Sequence, residues 1–182
     1  MQKLPAKAIR TEVTAGALIN DIAPYHRIAE LHFEDRRSLE TSVRTPEGQA
    51  MLEQALQISS GGKPHFLVME SDMAIDEEPG KPRPPIKCMV CFSQPEDKLK
   101  FDNAYFTEIL PAMLNTPAKQ FKSYTVIGTI DNTESPFHRV LEFFFDSQAA
   151  LHSCMVSAAG RALQDALGKV PTRSLLLVAT EG

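Results

Sequence analysis

Two stretches of the chain, at residues 25–33 and 137–145, have an apolar residue at every second position from 29 and from 141 onwards, which is the period of a β-strand. A β-rich run that ends in turn residues comes before each of them, at residues 9–19 and 121–131. The pattern therefore predicts two pairs of consecutive strands.

Apolar residues at helical spacing follow each predicted strand pair. They predict helices over residues 35–56 and 147–167, and Ser147 is of the residue type that favours N-caps. A short apolar strand pattern comes after each helix, at residues 65–70 and 174–179. Both halves therefore have the order strand, strand, helix, strand.

The two halves are also related residue by residue, since residues 5–55 align with residues 117–167 without a gap. The identical pairs include Asn20/Asn132, Pro24/Pro136, His26/His138, Arg27/Arg139, Glu30/Glu142 and Gly48/Gly160. Such a register predicts an internal duplication.

The second half contains more than the first. A strand pattern at residues 86–93 and a helical pattern at 101–114 give it the order βαββαβ, which is the ferredoxin-like arrangement. The first half starts where that opening helix should end. We therefore predict an incomplete ββαβ repeat at residues 1–71, an acidic, Pro-rich linker at 72–85 and a complete repeat at 86–182.

The third strand of each repeat predicts two different faces. One face is apolar and should pack on the helices; it carries Ala29, Leu31, Phe33, Leu141, Phe143 and Phe145. The other face mixes ionisable and apolar side chains. Two such sheets in one chain can close their helix-free faces into a barrel, so the predicted fold class is α+β, with antiparallel sheets of tandem ferredoxin-like repeats packed together.

The candidate catalytic residues lie on the face that would line this barrel. A carboxylate and an imidazole two residues apart on one strand face are about 6.5–7 Å apart, close enough to share a proton or a substrate. Burial would raise the pKa of a glutamate there, and an imidazolium would lower it, which is typical of acid/base sites. The candidates are His26, Glu30, His32, His138 and Glu142.

Structural explanations of these residues stay open. His26 and His138 stand at strand starts and could simply satisfy backbone carbonyls, and the glutamates could pair with Arg27 or Arg139. The remaining histidines, His65 and His152, have no partner in the other copy and are expected at the surface.

Composition narrows the classes of partner. The hydrophobic fraction of 43% and charged fraction of 23% are those of a globular protein. A net charge of −4 without a basic block argues against nucleic acid, and no apolar run approaches the roughly 20 residues that cross a membrane. Three cysteines suit a reducing compartment, so we expect a cytoplasmic protein.

The Cys88-x-x-Cys91 motif does not predict a metal or redox site. It lies in a predicted strand, where residues three apart point to opposite faces, and no second Cys/His pair is nearby. No phosphate-binding loop or nucleophile elbow is present either, so we expect neither a metal nor a cofactor.

The segments at residues 25–50 and 137–162 resemble the EthD family of the dimeric α/β-barrel superfamily. The similarity is carried by Phe-Phe-Phe-Asp-Ser at 143–147 and Thr-Pro-Glu-Gly-Gln at 45–49. Residues 105–111 are similar to the family's Y-W-x-x-x-H-x-P region, but Ile109 stands where the family has histidine. A function that relies on that histidine is not expected of this chain.

The resemblance implies cofactor-free chemistry on a hydrophobic small molecule. We expect an isomerase or cyclase type of acid/base reaction on a carbonyl-bearing substrate. The alternatives are a cofactor-independent monooxygenase of the same superfamily and a non-catalytic binding barrel in a degradation pathway.

The missing opening strand poses a structural problem for the first half. In a ferredoxin-like sheet that strand lies between the third and fourth strands, and leaving it out exposes two rows of backbone groups. Its third and fourth strands could pair directly, a partner chain could cover them, or a natural segment could be lacking. We expect a homodimer that covers the edges.

Overall fold

The computed structural model describes residues 8–17, 25, 27–59, 64–75 and 83–181, with the backbone alone at 8–17 and 181. The elements are β1 Ala8–Ala17, β2 Arg27–His32, α1 Arg36–Arg44, α2 Pro46–Ile58, β3 Leu67–Ile75, β4 Ile86–Ser93, α3 Lys98–Ala104, a π-helical turn Tyr105–Ile109, α4 Leu110–Leu114, β5 Gln120–Thr129, β6 Phe137–Phe145, α5 Gln148–Val156, α6 Ala158–Lys169 and β7 Ser174–Glu181.

The described strands form one antiparallel sheet in the order β2-β1-β7-β4-β6-β5-β3. Its middle four strands, β7-β4-β6-β5, have the ferredoxin-like strand order, and helices cover one face. The α+β antiparallel fold class predicted from the sequence is confirmed. β1 pairs with β7 and β3 pairs with β5, so strands of the first half extend both edges of the second.

The position of the missing strand is left without a strand among the described residues. β2 and β3 form the two ends of the sheet and do not pair with each other. Of the three outcomes expected from the sequence, direct pairing of these strands is therefore wrong. The homodimer stays a prediction, because the structure describes a single chain.

The sheet curls so that its two ends share one core. Ile28 of β2 and Met69 of β3 both pack against the cluster that Met89, Cys91 and Val140 form on the helix-free face of β4 and β6. This concave face is called the interior below.

The predicted helix-facing side of β6 is confirmed. Leu141, Phe143 and Phe145 are at most 1% exposed and pack with residues of the helices. The first half differs, because Ala29 on the corresponding side of β2 is exposed. In the second half, α3, the π turn and α4 contribute to the helix layer, and the first half has no counterpart of them among its described residues.

Each predicted long helix is instead two helices that meet at a sharp joint. Thr45 and Ser157 have extended backbone conformations, end α1 and α5, and cap α2 and α6. Their hydroxyls accept hydrogen bonds from the amides of Gly48 and Gly160, both at 3.1 Å. Apolar periodicity continues across such a joint, which is why it predicts one helix.

The opening helix of the second half contains the π turn because of a proline. Pro111 has no N–H, and its ring would collide with the carbonyl four residues earlier in a regular helix. The chain widens instead, so that the amide of Leu110 donates to the carbonyl of Tyr105, five residues back.

The predicted linker begins too early. β3 continues to Ile75, so Asp72 belongs to the sheet, and residues 76–82 lie outside the described part of the chain.

The close approach of α5 and α6 at their joint can be tested with two glycines of α6. A Cβ added at Gly160 would lie 2.0 Å from the carbonyl oxygen of Cys154, whereas one at Gly168 would meet nothing within 4 Å. Gly160→Ala should cost about 1–3 kcal/mol of unfolding free energy. Gly168→Ala should add about 0.5–1 kcal/mol, because alanine favours the helix more than glycine does.

Urea unfolding of both variants checks this prediction. Equal shifts of the two midpoints would contradict the close approach at Gly160.

Candidate functional site

A buried lysine joins two glutamates in the interior. Lys87 of β4 donates from Nζ to Oε1 of Glu30 on β2 and, at 3.1 Å, to Oε1 of Glu142 on β6. The side chains of Lys87 and Glu142 are 2% and 1% exposed, and that of Glu30 is 10% exposed. Buried charges require partners of this kind.

Strand register explains how two of these residues meet. Lys87 pairs with Phe144, and Glu142 pairs with Met89, so Lys87 and Glu142 are diagonal neighbours on the same sheet face. Glu30 is different, because β2 is separated from β4 by two strands in the sheet order. The curl of the sheet brings Glu30 over the lysine.

Glu30 has further basic neighbours. Nη1 of Arg83 lies 3.4 Å from Oε2 of Glu30, and Nε2 of His32 lies 3.5 Å from the same oxygen. The guanidinium of Arg83 also packs over the ring of Phe144, 4.7 Å from its centroid.

The two glutamates have opposite pKa shifts. Burial acts to raise the pKa of Glu30, but the nearby imidazole of His32 and the charge of Lys87 outweigh burial, so that pKa lies well below its usual range. Burial raises the pKa of Glu142 to about 7; Lys87 opposes this shift and the nearby Glu30 carboxylate adds to it.

This pair can therefore hold one proton at neutral pH, on Glu142. Oε2 of Glu142 is buried and accepts no hydrogen bond from the described residues. Paired carboxyl groups with pKa values pushed apart are typical of acid/base sites.

Three of the predicted site residues, Glu30, His32 and Glu142, come together in this cluster. His26 lies outside the described residues. His138 lies elsewhere, so the prediction that it shares a face with Glu142 is wrong. Its Nε2 is 3.1 Å from Oδ1 of Asp102 in α3, and its ring packs against Phe101 on the helix side.

A β-bulge causes this exception to the alternation. Phe92 pairs with Arg139 and Ser93 pairs with Phe137, which leaves His138 as the extra residue in β6. The bulge turns Phe137 into the interior cluster and His138 away from it.

Arg139, next to the bulge, is held on the helix side by two aspartates. Its Nε donates to Asp102 at 2.8 Å and its Nη1 to Asp72 at 2.5 Å. Its guanidinium also packs against the rings of Tyr105 and Phe106. Arg139 therefore ties β3 to α3 and is not a partner of the glutamates, as one alternative reading of the sequence had it.

Sequence reasoning missed Lys87 and Arg83. Lys87 is the one charged residue in the run Ile86–Ser93, and its alternation with Met89 and Cys91 places it on the interior face. That isolated charge was an available signal. Arg83 gave none, because it lies in the Pro-rich segment that reads as a linker.

The cysteines and the outer histidines lie as expected. Cys88 belongs to the helix-side core and Cys91 to the interior cluster, and burial raises the pKa of each thiol to about 12. His65 and His152 are exposed. The described residues include no group of three or more metal-ligating side chains.

An open cavity of about 370 Å³ lies away from this cluster. Its lining comes from α1, α2 and the segments next to β3 and β5; it consists of Val43, Gln49, Leu52, Glu53, Leu56, Phe66, Ile130 and Asp131. Because none of the candidate residues reaches it, the chemistry of the buried cluster gives it no role.

No helix in the described part of the chain has both the length and the apolar character needed to cross a membrane.

Comparison with known proteins supports the fold more than the activity. No protein-family model matches the chain, and no curated protein matches its sequence. An ethyl tert-butyl ether degradation (EthD) family protein of Bacillus halodurans is 26% identical over 54% of this chain and 99% of its own, with a TM-score of 0.49.

Two other solved structures cover nearly the whole chain. An anthrone oxidase-like protein is 12% identical, covers 97% of this chain and 79% of its own, and has a TM-score of 0.58. A protein of Fusobacterium nucleatum, provisionally named a monooxygenase, is 9% identical with coverages of 97% and 78% and a TM-score of 0.55. These two share the ferredoxin-like, dimeric α/β-barrel type of fold with the chain.

The raised pKa of Glu142 predicts how stability depends on pH. Above its ordinary pKa the unfolded chain loses this proton, while the folded chain keeps it until about pH 7. Folding is therefore penalised progressively as the pH rises through this window. Relative to Glu142→Gln, the wild-type chain should lose roughly 1–3 kcal/mol between about pH 5 and about pH 8.

Urea unfolding of both proteins across this range measures the difference. Parallel stability curves would show that Glu142 has no raised pKa. Glu30 affects stability at a lower pH than Glu142 does. Its lowered pKa stabilises the folded chain, and this contribution is lost as the pH falls below the usual glutamate range.

Proposed function

We propose that this chain is a small-molecule enzyme that moves a proton on a hydrophobic, carbonyl-bearing substrate without a cofactor. The observation that carries the proposal is the pair of carboxyl groups on Lys87, one with a lowered and one with a raised pKa. A structural ion pair needs no such separation, whereas acid/base catalysis near neutral pH does.

Glu142 is the acid/base group in this proposal. With a pKa near 7, it can remove a proton from the carbon next to a carbonyl and return it at another position, which isomerises the substrate. In a cyclisation, the enolate carbon instead attacks a second carbonyl carbon of the same substrate, and Glu142 returns the proton to the alkoxide oxygen that forms. The ammonium of Lys87 stabilises the negative charge that develops on the substrate oxygen. Glu30 holds the Lys87 side chain in place through their ion pair, and His32 orients Glu30.

The interior surface next to this cluster suits a hydrophobic substrate. Met89, Cys91 and Val140 continue from the glutamates along the same sheet face, and the rings of Phe137 and Phe144 flank it. Such an apolar surface binds rings, and the cluster at its end supplies the few polar groups that fix orientation.

A cofactor-independent oxygenase is the second candidate. The fold shared with the anthrone oxidase-like protein favours it, although the similarity extends only to the fold. The same deprotonation by Glu142 would then produce a carbanion that gives one electron to O₂ and combines with the resulting superoxide. This forms a carbon–oxygen bond, and the proton on Glu142 goes to the peroxide anion. A non-catalytic binding barrel stays the third.

Membership of the EthD family and the tandem-repeat origin of the two halves also remain proposals. The matching helix joints at Thr45 and Ser157 support the duplication. The division into residues 1–71, 72–85 and 86–182 is also a proposal, with the end of the first repeat moved to Ile75, where β3 ends.

Deuterium incorporation tests proton transfer without knowledge of the full reaction. A panel of aryl ketones is incubated with the protein in D₂O, and exchange at the carbon next to the carbonyl is followed by NMR. Glu142→Gln should slow exchange by about 10²–10⁴-fold, because it removes the base. The wild-type rate should rise with pH through the pKa of Glu142, since the carboxylate is the base.

Glu70→Gln is the matched control, because Glu70 is exposed on β3 and outside the cluster. Oxygen uptake measured in parallel distinguishes the oxygenase. Exchange that survives both Glu142→Gln and Glu30→Gln would place the site elsewhere.

A further inference from the structure

The ends of the sheet approach each other across the position of the absent strand. Tyr25, just before β2, packs edge-on against His65, just before β3, with ring centroids 5.9 Å apart. Farther along, Ile28 and Met69 both reach the interior cluster from the two sides. A ferredoxin-like sheet has one strand between these two, which corresponds to a spacing of about 9–10 Å. We call this gap the slot.

Among the described residues, side chains and not backbone close the slot. Ile28, Met69, Tyr25 and Leu67 are all only partly buried, whereas Cys91, which lies in the same cluster, is 3% exposed. A paired strand would have to break hydrogen bonds to open. Side chains change rotamer on the picosecond to nanosecond scale when partly exposed, so this part of the wall can open without unfolding.

The floor behind the slot leads to the charged cluster. Cys91, Met89 and Lys87 are alternate residues of β4, so they lie on one face at spacings of about 6.5–7 Å. The floor therefore runs for about 13 Å from an apolar end at Cys91 to the ammonium of Lys87.

We infer that the slot between β2 and β3 is the entrance and binding cleft for the substrate. The ligand is an elongated, flat, apolar molecule with one polar end. Its polar end contacts Lys87 and Glu142, its body covers Met89 and Cys91, and Ile28 and Met69 set the width it can have. The identity of the ligand's polar end rests on the proposed function. The route through the slot does not.

The rates at which a thiol reagent modifies Cys88 and Cys91 of β4 measure access to the slot. Burial raises the pKa of both Cys88 and Cys91 to about 12, so neither thiol is activated and each reacts only as fast as the structure exposes it. Cys88 lies beneath the helices and Cys91 faces the slot. Methyl methanethiosulfonate should therefore modify Cys91 about tenfold faster or more, because local opening precedes global unfolding. Fragment mass spectrometry assigns the modified thiol.

Substitutions in the wall test the route. Ile28→Ala should speed modification of Cys91 and Ile28→Trp should slow it, with Cys88 unchanged. Ala29→Trp is the matched control, because it places the same indole side chain at the next residue, which is exposed on the outer side of β2. The elongated ketone 6-propionyl-2-(dimethylamino)naphthalene should protect Cys91 and leave Cys88 unprotected.

Three outcomes would overturn the inference. Equal modification rates at Cys88 and Cys91 would mean that both thiols react only after global unfolding. A Cys91 rate that does not change with Ile28→Ala or Ile28→Trp would mean that the reagent enters by another route. Protection of Cys91 that increases with protein concentration would mean that a second copy of the chain fills the slot. Because Glu142 contributes to the raised pKa of Cys91, Glu142→Gln changes the Cys91 rate itself. The fold-change that Ile28→Ala causes should nevertheless be the same with Glu142 or Gln at that position, so failure of the proposed chemistry is distinguishable from failure of the cleft.

Discussion

The arrangement of the molecule depends on the ion pairs that the ammonium of Lys87 forms with two glutamates. The ammonium binds Glu142 from its own half of the chain and Glu30 from the other, at a depth where neither carboxyl group has much water. Removing one member of such a group leaves the other charges buried without a partner. The free energy lost in this way is much larger than the net stabilisation that the intact group provides. Glu30 must therefore stay over the lysine, and the curl of the sheet must be kept with it.

The same sheet separates its charged residues by face. The interior has Lys87 with the glutamates, and the helix side has Arg139 with Asp72 and Asp102. The bulge at His138 makes this possible, because one extra residue in β6 changes which side chains face the helices. Without it, strict alternation would continue to the start of the strand and place His138 beside Glu142 in the interior.

The features that could be predicted from the sequence are those that the local pattern of apolar and polar residues determines. Alternation located the strands and the helix-facing side of β6, and it placed Cys88 and Cys91 on opposite faces. It also selected Glu30, His32 and Glu142. It failed at His138, because the extra residue of a bulge interrupts the alternation of side chains. It failed at the helix joints, because apolar spacing continues across them. Lys87 and Arg83 become site residues only through long-range contacts with β2, which no local pattern contains.

The strand order has a consequence for how the chain folds. β1, among the first described residues, pairs with β7, at the far end of the chain, with Glu12 opposite Glu181. Contacts of such sequence separation are slow to form, because a long loop must close first. During synthesis β1 has no partner at one of its edges until β7 has left the ribosome. An unpaired strand edge at that stage invites pairing with other nascent chains, so this topology makes assembly on the ribosome depend on protection of the N-terminal strand.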